Sequence, residues 1–89
     1  MTVSQPTITL YTKPGCHLCE AVHQVIAMVR RRRGFQLVIR DILEDPHDFE
    51  RYQHAIPVVL LDGAEIARYR LTTEELETHL NQAAQPGRG

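Results

Sequence analysis

The sequence predicts an α/β fold in the order β-α-β-α-β-β-α, with a four-stranded mixed sheet flanked by helices. Three observations carry that expectation. Thr7-Ile8-Thr9-Leu10-Tyr11-Thr12 alternates polar and apolar residues and is followed by Pro14-Gly15 and a long amphipathic stretch, which is strand, turn and helix. A second β-rich stretch, Phe35 to Ile42, follows that helix, so the two strands run parallel with a right-handed crossover. Asp62-Gly63 then joins two further apolar runs, a hairpin signal.

The elements follow in order. β-branched and aromatic residues make 7–12 a strand. The first helix is expected from Cys16 to Arg33, about 25 Å at 1.5 Å per residue, with Gly34 as its C-cap. On it Leu18, Cys19, Ala21, Val22, Val25, Ile26, Met28 and Val29 share an apolar arc, while Glu20, His23, Gln24, Arg30 and Arg31 share the polar one. Asp45-Pro46 supplies an N-cap and a first-turn proline; the short helix they open reaches about His54 and buries Phe49 and Tyr52. Ala55 to Leu61 is an unbroken apolar run, as in a strand buried on both faces, with Pro57 at its first residue because proline cannot donate to a ladder. Ala64 to Arg70 carries enough charge to sit at a sheet edge. Thr72-Thr73-Glu74-Glu75 is a capping box, opening a helix that points Leu76 and Leu80 inward and ends near Ala84. One domain, 7–84, is expected between a flexible start, 1–6, and a disordered tail, 85–89.

Eighty-nine residues suit one domain. A net charge of −1 gives no overall field that would favour nucleic acid. Met1 to Pro6 has neither the basic start nor the apolar run of a signal peptide, and no stretch approaches the ~20 apolar residues of a membrane span; a cytoplasmic, reducing location with no membrane partner is expected. Arg30-Arg31-Arg32-Arg33 could dock a phosphate-rich partner, but cations also complement the negative end of a helix. That end lies opposite the chemistry described next, so a solvated helix terminus is the favoured reading.

Cys16 and Cys19 are the only cysteines. They sit three apart where strand gives way to helix, the pattern of a redox dithiol in an intracellular chain. A thiol capping a helix faces unpaired N–H groups and the positive end of the macrodipole, which in such motifs lowers its pKa from ~8.5 to roughly 3.5–7.5. Lys13 adds a cation that could hold a thiolate or a substrate carboxylate, and His17 a donor or a titratable charge. Cys19 lies at the edge of the apolar arc and Cys16 on the polar side, so Cys16 is the expected nucleophile and Cys19 the resolving thiol. Competing readings are a structural disulfide, which so short a loop makes weak; zinc, which wants four ligands although His23 could join the thiols; and two inert buried cysteines.

The segment Tyr11-Thr12-Lys13-Pro14-Gly15-Cys16-His17-Leu18-Cys19 resembles the active-site segment of glutaredoxins, Ala55-Ile56-Pro57 resembles their Thr-Val-Pro, and Gly63 matches their hairpin glycine. The resemblance implies a thioredoxin-like fold and a thiol-disulfide oxidoreductase that reduces protein or glutathione mixed disulfides. It implies Cys16 as attacking and Cys19 as resolving residue, with Ile56 and a cis Pro57 as the opposite wall of the groove. Apart from the resemblance, His23, His47, His54 and His79 read as ordinary surface residues, with His54, near Pro57, the foremost of them as a candidate to line the groove. No bound cofactor or metal is expected; glutathione is a candidate co-substrate, and the partners are disulfide-containing or glutathionylated proteins with glutathione or a thioredoxin-type reductant. A monomer is expected. Two departures stand out: His17-Leu18 replaces the usual Pro-aromatic pair, and Ala67-Arg68 stands at the usual Gly-Gly, leaving Arg68 to meet a carboxylate. The alternatives are a glutathione-assisted [2Fe-2S] or metal-binding module and a non-catalytic adaptor.

Overall fold

The computed structural model describes residues 5–83. Its elements are β1 (Thr7–Thr12), α1 (His17–Arg30), β2 (Gln36–Asp41), a 3-10 turn (Ile42–Glu44), α2 (Pro46–Tyr52), β3 (Val58–Leu61), β4 (Ala64–Arg68) and α3 (Thr73–Ala83). The strands form one sheet ordered β2-β1-β3-β4. β1 lies parallel to β2, while β3 runs antiparallel to β1 and β4. This is the expected element order and the thioredoxin-like arrangement, with β1 central and α1 starting from its carboxyl end, where α/β sheets carry their sites. Of the expected loose start only Gln5 and Pro6 are described, and the Pro6 carbonyl accepts from the Gln36 N–H at 2.8 Å. The expected tail, 85–89, lies outside the described residues.

Alternation along the strands splits the core in two. Ile8 and Leu10 of β1 with Val59 and Leu61 of β3 pack against Val22, Ile26 and Val29 of α1 and Leu76 and Leu80 of α3. The opposite face brings Val58 and Leu60 together with Tyr11, Ile42, Tyr52, Ala55 and Ile56. Cys19, at the start of α1, belongs to this second cluster, because the first turn of the helix overhangs the end of the sheet.

Local chemistry fixes the joints. Asp62 and Gly63 both adopt positive φ, 50° and 87°, the geometry that a two-residue hairpin turn requires. The Asp45 carboxylate accepts from the N–H groups of His47 and Asp48 at 2.8 and 3.4 Å, ahead of Pro46 in the first turn. Thr72 Oγ1 accepts from the Glu75 N–H, and the Glu75 carboxylate from the Thr72 N–H, each at 3.0 Å. Thr72→Ala should therefore lower stability by about 1 kcal/mol, read as a shift in urea midpoint at constant slope.

Several boundaries differ from expectation. α1 stops at Arg30 rather than Arg33, with Arg31 and not Gly34 as its C-cap, because the Arg32 N–H leaves the i→i−4 ladder and donates to the Val29 carbonyl three residues back. The arginine run is largely occupied: Arg32 pairs with Glu77, Arg33 donates to Asn81, and Arg30 Nε donates to the Phe35 carbonyl. These contacts tie the end of α1 to α3 and to the following loop. The apolar arc of α1 is narrower than its composition, since Leu18 and Met28 on its flank are exposed. In α2, Tyr52 is 7% exposed but Phe49 is 39% exposed, because a two-turn helix seats only one of them on the sheet. A 3-10 turn capped by the Asp41 carboxylate at the Leu43 N–H follows β2, a feature that the strand-like composition hides.

Candidate active site

The site is built where β1 ends. Gly15 turns the chain at φ 79°, a value that glycine takes without strain. Cys16 then caps α1 in extended conformation, and its Sγ accepts from the Cys19 N–H at 3.1 Å. The two cysteines are joined as a disulfide with Cα atoms 5.2 Å apart. Cys16 is half-buried and Cys19 is 2% exposed. Lys13 and His17 flank the pair and are both exposed.

The opposite wall comes from the loop before β3. The Ile56–Pro57 peptide is cis, Pro57 is fully buried, and Ile56 packs in the cluster that holds Cys19 and against which Cys16 rests. Of the expected set, Cys16, Cys19 and Ile56 are thus brought together, with Pro57 following Ile56 through the cis bond and Lys13 and His17 adjoining the cysteines along the chain.

Arg68 is placed differently. It stands opposite Val58 in the ladder, but its guanidinium is held by the Glu65 carboxylate of its own strand, and that hydrogen bond raises its pKa further. With Glu65 it lines a groove of about 370 Å³ together with Tyr11, Arg51, Tyr52, Leu60 and Gly63, a set that does not include the cysteines. Ala67 at the preceding position packs against the larger core cluster.

Tyr11 links the groove to the thiols. Its ring lies 4.4 Å from that of Tyr52, tilted by 33°, and packs on the cysteine cluster. Burial raises its pKa, reinforced by the negative charge of Asp48 and by Tyr52. The folded state therefore holds the phenol proton more tightly than the unfolded chain does. Its contribution is fully present below the ordinary tyrosine value near ~10 and is lost as pH rises through the folded value. Tyr11→Phe should flatten the alkaline fall in urea midpoint above about pH 10.

The family model described as Glutaredoxin-like domain (DUF836) matches residues 7–81. The chain belongs to this glutaredoxin-like family. Among solved structures it resembles protein XcR50 from X. campestris, with a TM-score of 0.72 and 26% identity over 89% of this chain and 99% of that one. Protein Ne2328 from Nitrosomonas europaea gives a TM-score of 0.74 at 22% identity, covering 89% and 95% of the two chains. A thioredoxin from Halobacterium salinarum gives 0.68 at 12% identity, covering 92% and 77%; at such identities the likeness is one of fold. In sequence, Rv0508 of Mycobacterium tuberculosis is 26% identical over 83 residues, 88% of this chain and 86% of its own.

This glutaredoxin-like domain also places at the site a residue that sequence reasoning did not select. Tyr69 follows β4 at φ 68°, and the Arg70 N–H donates to the Arg68 carbonyl at 2.7 Å, closing the rare positive-φ form of γ-turn around it. For a bulky side chain such backbone costs on the order of 1–3 kcal/mol. The Tyr69 N–H donates to the Pro57 carbonyl and its hydroxyl to the His54 carbonyl, both at 2.8 Å. His54 thus meets the site through its backbone, its side chain being exposed. No composition cue marks a tyrosine for positive φ, so nothing in the sequence singled it out.

Proposed function

We propose that this glutaredoxin-like domain is a thiol-disulfide oxidoreductase. Starting from the dithiol, the Cys16 thiolate attacks one sulfur of a substrate disulfide; a Cys16–substrate bond forms and the other substrate sulfur leaves as thiolate. Cys19 then attacks Cys16 Sγ, releasing the second substrate thiol and leaving the Cys16–Cys19 disulfide. Two electrons pass from protein to substrate, and an external thiol reductant restores the dithiol.

The observation that carries this reading is the contrast between two sulfurs of one helical turn. Cys16 caps α1 with access to solvent while Cys19 is sealed beneath it, which suits one thiol to attack and the other to resolve. Lys13 and His17 stand beside the attacking sulfur in roles of charge and donation. Ile56, joined to Pro57 by a cis bond, offers its backbone to an extended substrate, as the resemblance to the glutaredoxin Thr-Val-Pro implies. Glutathione as co-substrate, protein disulfides or glutathionylated proteins as clients, a cytoplasmic setting, a monomeric working form and the absence of a resident cofactor belong to the same proposal. The Arg68–Glu65 pair argues for a carboxylate contact at Lys13 rather than at Arg68.

Equilibrating the protein with defined ratios of reduced and oxidised glutathione tests it. A reversible two-electron couple between roughly −270 and −120 mV is expected. A pair that never exchanges, or a Cys16 no more reactive to alkylation at neutral pH than free cysteine, would overturn the reading.

A further inference from the structure

We propose that Tyr69 is a positioning and specificity residue for this site, selecting disulfides in extended polypeptide segments that carry an apolar side chain beside the cysteine. The inference rests on the thiol-disulfide reading and deepens it. Tyr69 holds a φ of 68° inside a γ-turn, a conformation that crowding at Cβ disfavours and that persists only where the surroundings impose it. Those surroundings are the opposite wall of the thiol site. The backbone N–H of Tyr69 is fixed to the Pro57 carbonyl and its hydroxyl to the His54 carbonyl, so the ring runs as a strap along the loop from His54 to Pro57. Ile56 of that loop packs with Cys19.

Tyr69 is nevertheless 45% exposed. An aromatic side chain needed only as filling would be covered. Here the hydroxyl is satisfied by protein, which leaves an apolar face turned to solvent. Leu18, between the cysteines, is likewise exposed. The thiol wall and the Pro57 wall therefore each present one apolar surface, in a chain where His17-Leu18 supplies no aromatic between the cysteines. In the proposed complex the polypeptide bonded to Cys16 also lies along the Tyr69 strap that is fixed to the Pro57 and His54 carbonyls. The electrons still come from the Cys16 and Cys19 dithiol; Tyr69 gives and takes no proton.

The test compares two peptide disulfides that differ only in whether leucine or serine flanks the cysteine. Wild type should show a KM about tenfold lower for the leucine peptide, the worth of one well-packed aromatic contact. Tyr69→Gly, which suits positive φ and so keeps the fold, should bring the two KM values together; Tyr69→Phe, which keeps the ring, should preserve most of the preference. An unfolding midpoint for Tyr69→Gly at or above that of wild type shows that the change is not a loss of structure. The inference is overturned if wild type shows no preference, if Tyr69→Gly keeps it, or if Tyr69→Gly lowers kcat equally for both peptides. Wild type inert toward both peptides overturns the thiol-disulfide reading itself, a failure visible before any Tyr69 variant is made.

Discussion

Cys16→Ser is expected to lower disulfide-reducing activity by about a thousandfold or more, with little change in fold. A serine hydroxyl is not appreciably ionised at neutral pH and forms no bond equivalent to a mixed disulfide, so the first displacement cannot occur. Serine is nevertheless among the best N-cap residues, and its oxygen can take over the bond that Cys16 Sγ accepts from the Cys19 N–H. Activity and stability should therefore separate in this variant. Cys19→Ser should behave oppositely: attack by Cys16 proceeds, but nothing displaces the adduct. Intact mass after exposure to a peptide disulfide should show one peptide added to Cys19→Ser and none to Cys16→Ser. Activity of Cys16→Ser within tenfold of wild type would refute the assignment of the nucleophile.

The largest expected loss of stability is that of Ile26→Ala. Ile26 is fully buried on α1 and packs in one cluster with Ile8, Leu10, Leu76 and Leu80, so truncation leaves a cavity between sheet and helices. Such changes cost about 2–5 kcal/mol, against a total of about 5–15 kcal/mol for a small domain. Met28→Ala, two residues along on the exposed flank, should stay within about 0.5 kcal/mol of wild type. Urea midpoints for the pair check both. A loss below about 1 kcal/mol at Ile26 would contradict the packing described for α1. Because α1 carries Cys16 and Cys19 at its start, Ile26→Ala should also speed alkylation of the reduced Cys19 by raising the open population.

The order of elements was legible because each joint has its own local signal. Pro14-Gly15, Asp45-Pro46, Asp62-Gly63 and Thr72 with Glu75 all act where their chemistry predicts. The cysteine pair was legible for the same reason, whereas the Ile56–Pro57 wall came only from the resemblance to glutaredoxins, since the chain itself shows no more than an X-Pro before an apolar run. What escaped depends on tertiary placement. Arginines favour helix, so nothing local ends α1 at Arg30; the turn is set by contacts to Glu77, Asn81 and Phe35. Phe49 and Tyr52 are equally apolar by composition, and only the seat beside Tyr11 decides between them. Val38 and Ile39 are apolar yet lie exposed on β2, an outer strand of the sheet, and a strand-like stretch carries no sign of which strand is outermost. For Arg68, read as able to meet a carboxylate, spacing does not reveal that Glu65 of its own strand reaches it. Tyr69 depends on a backbone angle that side-chain type argues against.

The close, tilted rings of Tyr11 and Tyr52 give the molecule a built-in optical signal. The chain has three tyrosines and no tryptophan, so its ultraviolet emission is dominated by phenol rings, and in one tilted pair Tyr52 belongs to the cluster that holds Cys19 while Tyr11 packs against it. Reduction of the Cys16–Cys19 bond changes the surroundings of that pair, so tyrosine emission is expected to differ between the disulfide and dithiol forms, a difference read without dye, label or coupled enzyme.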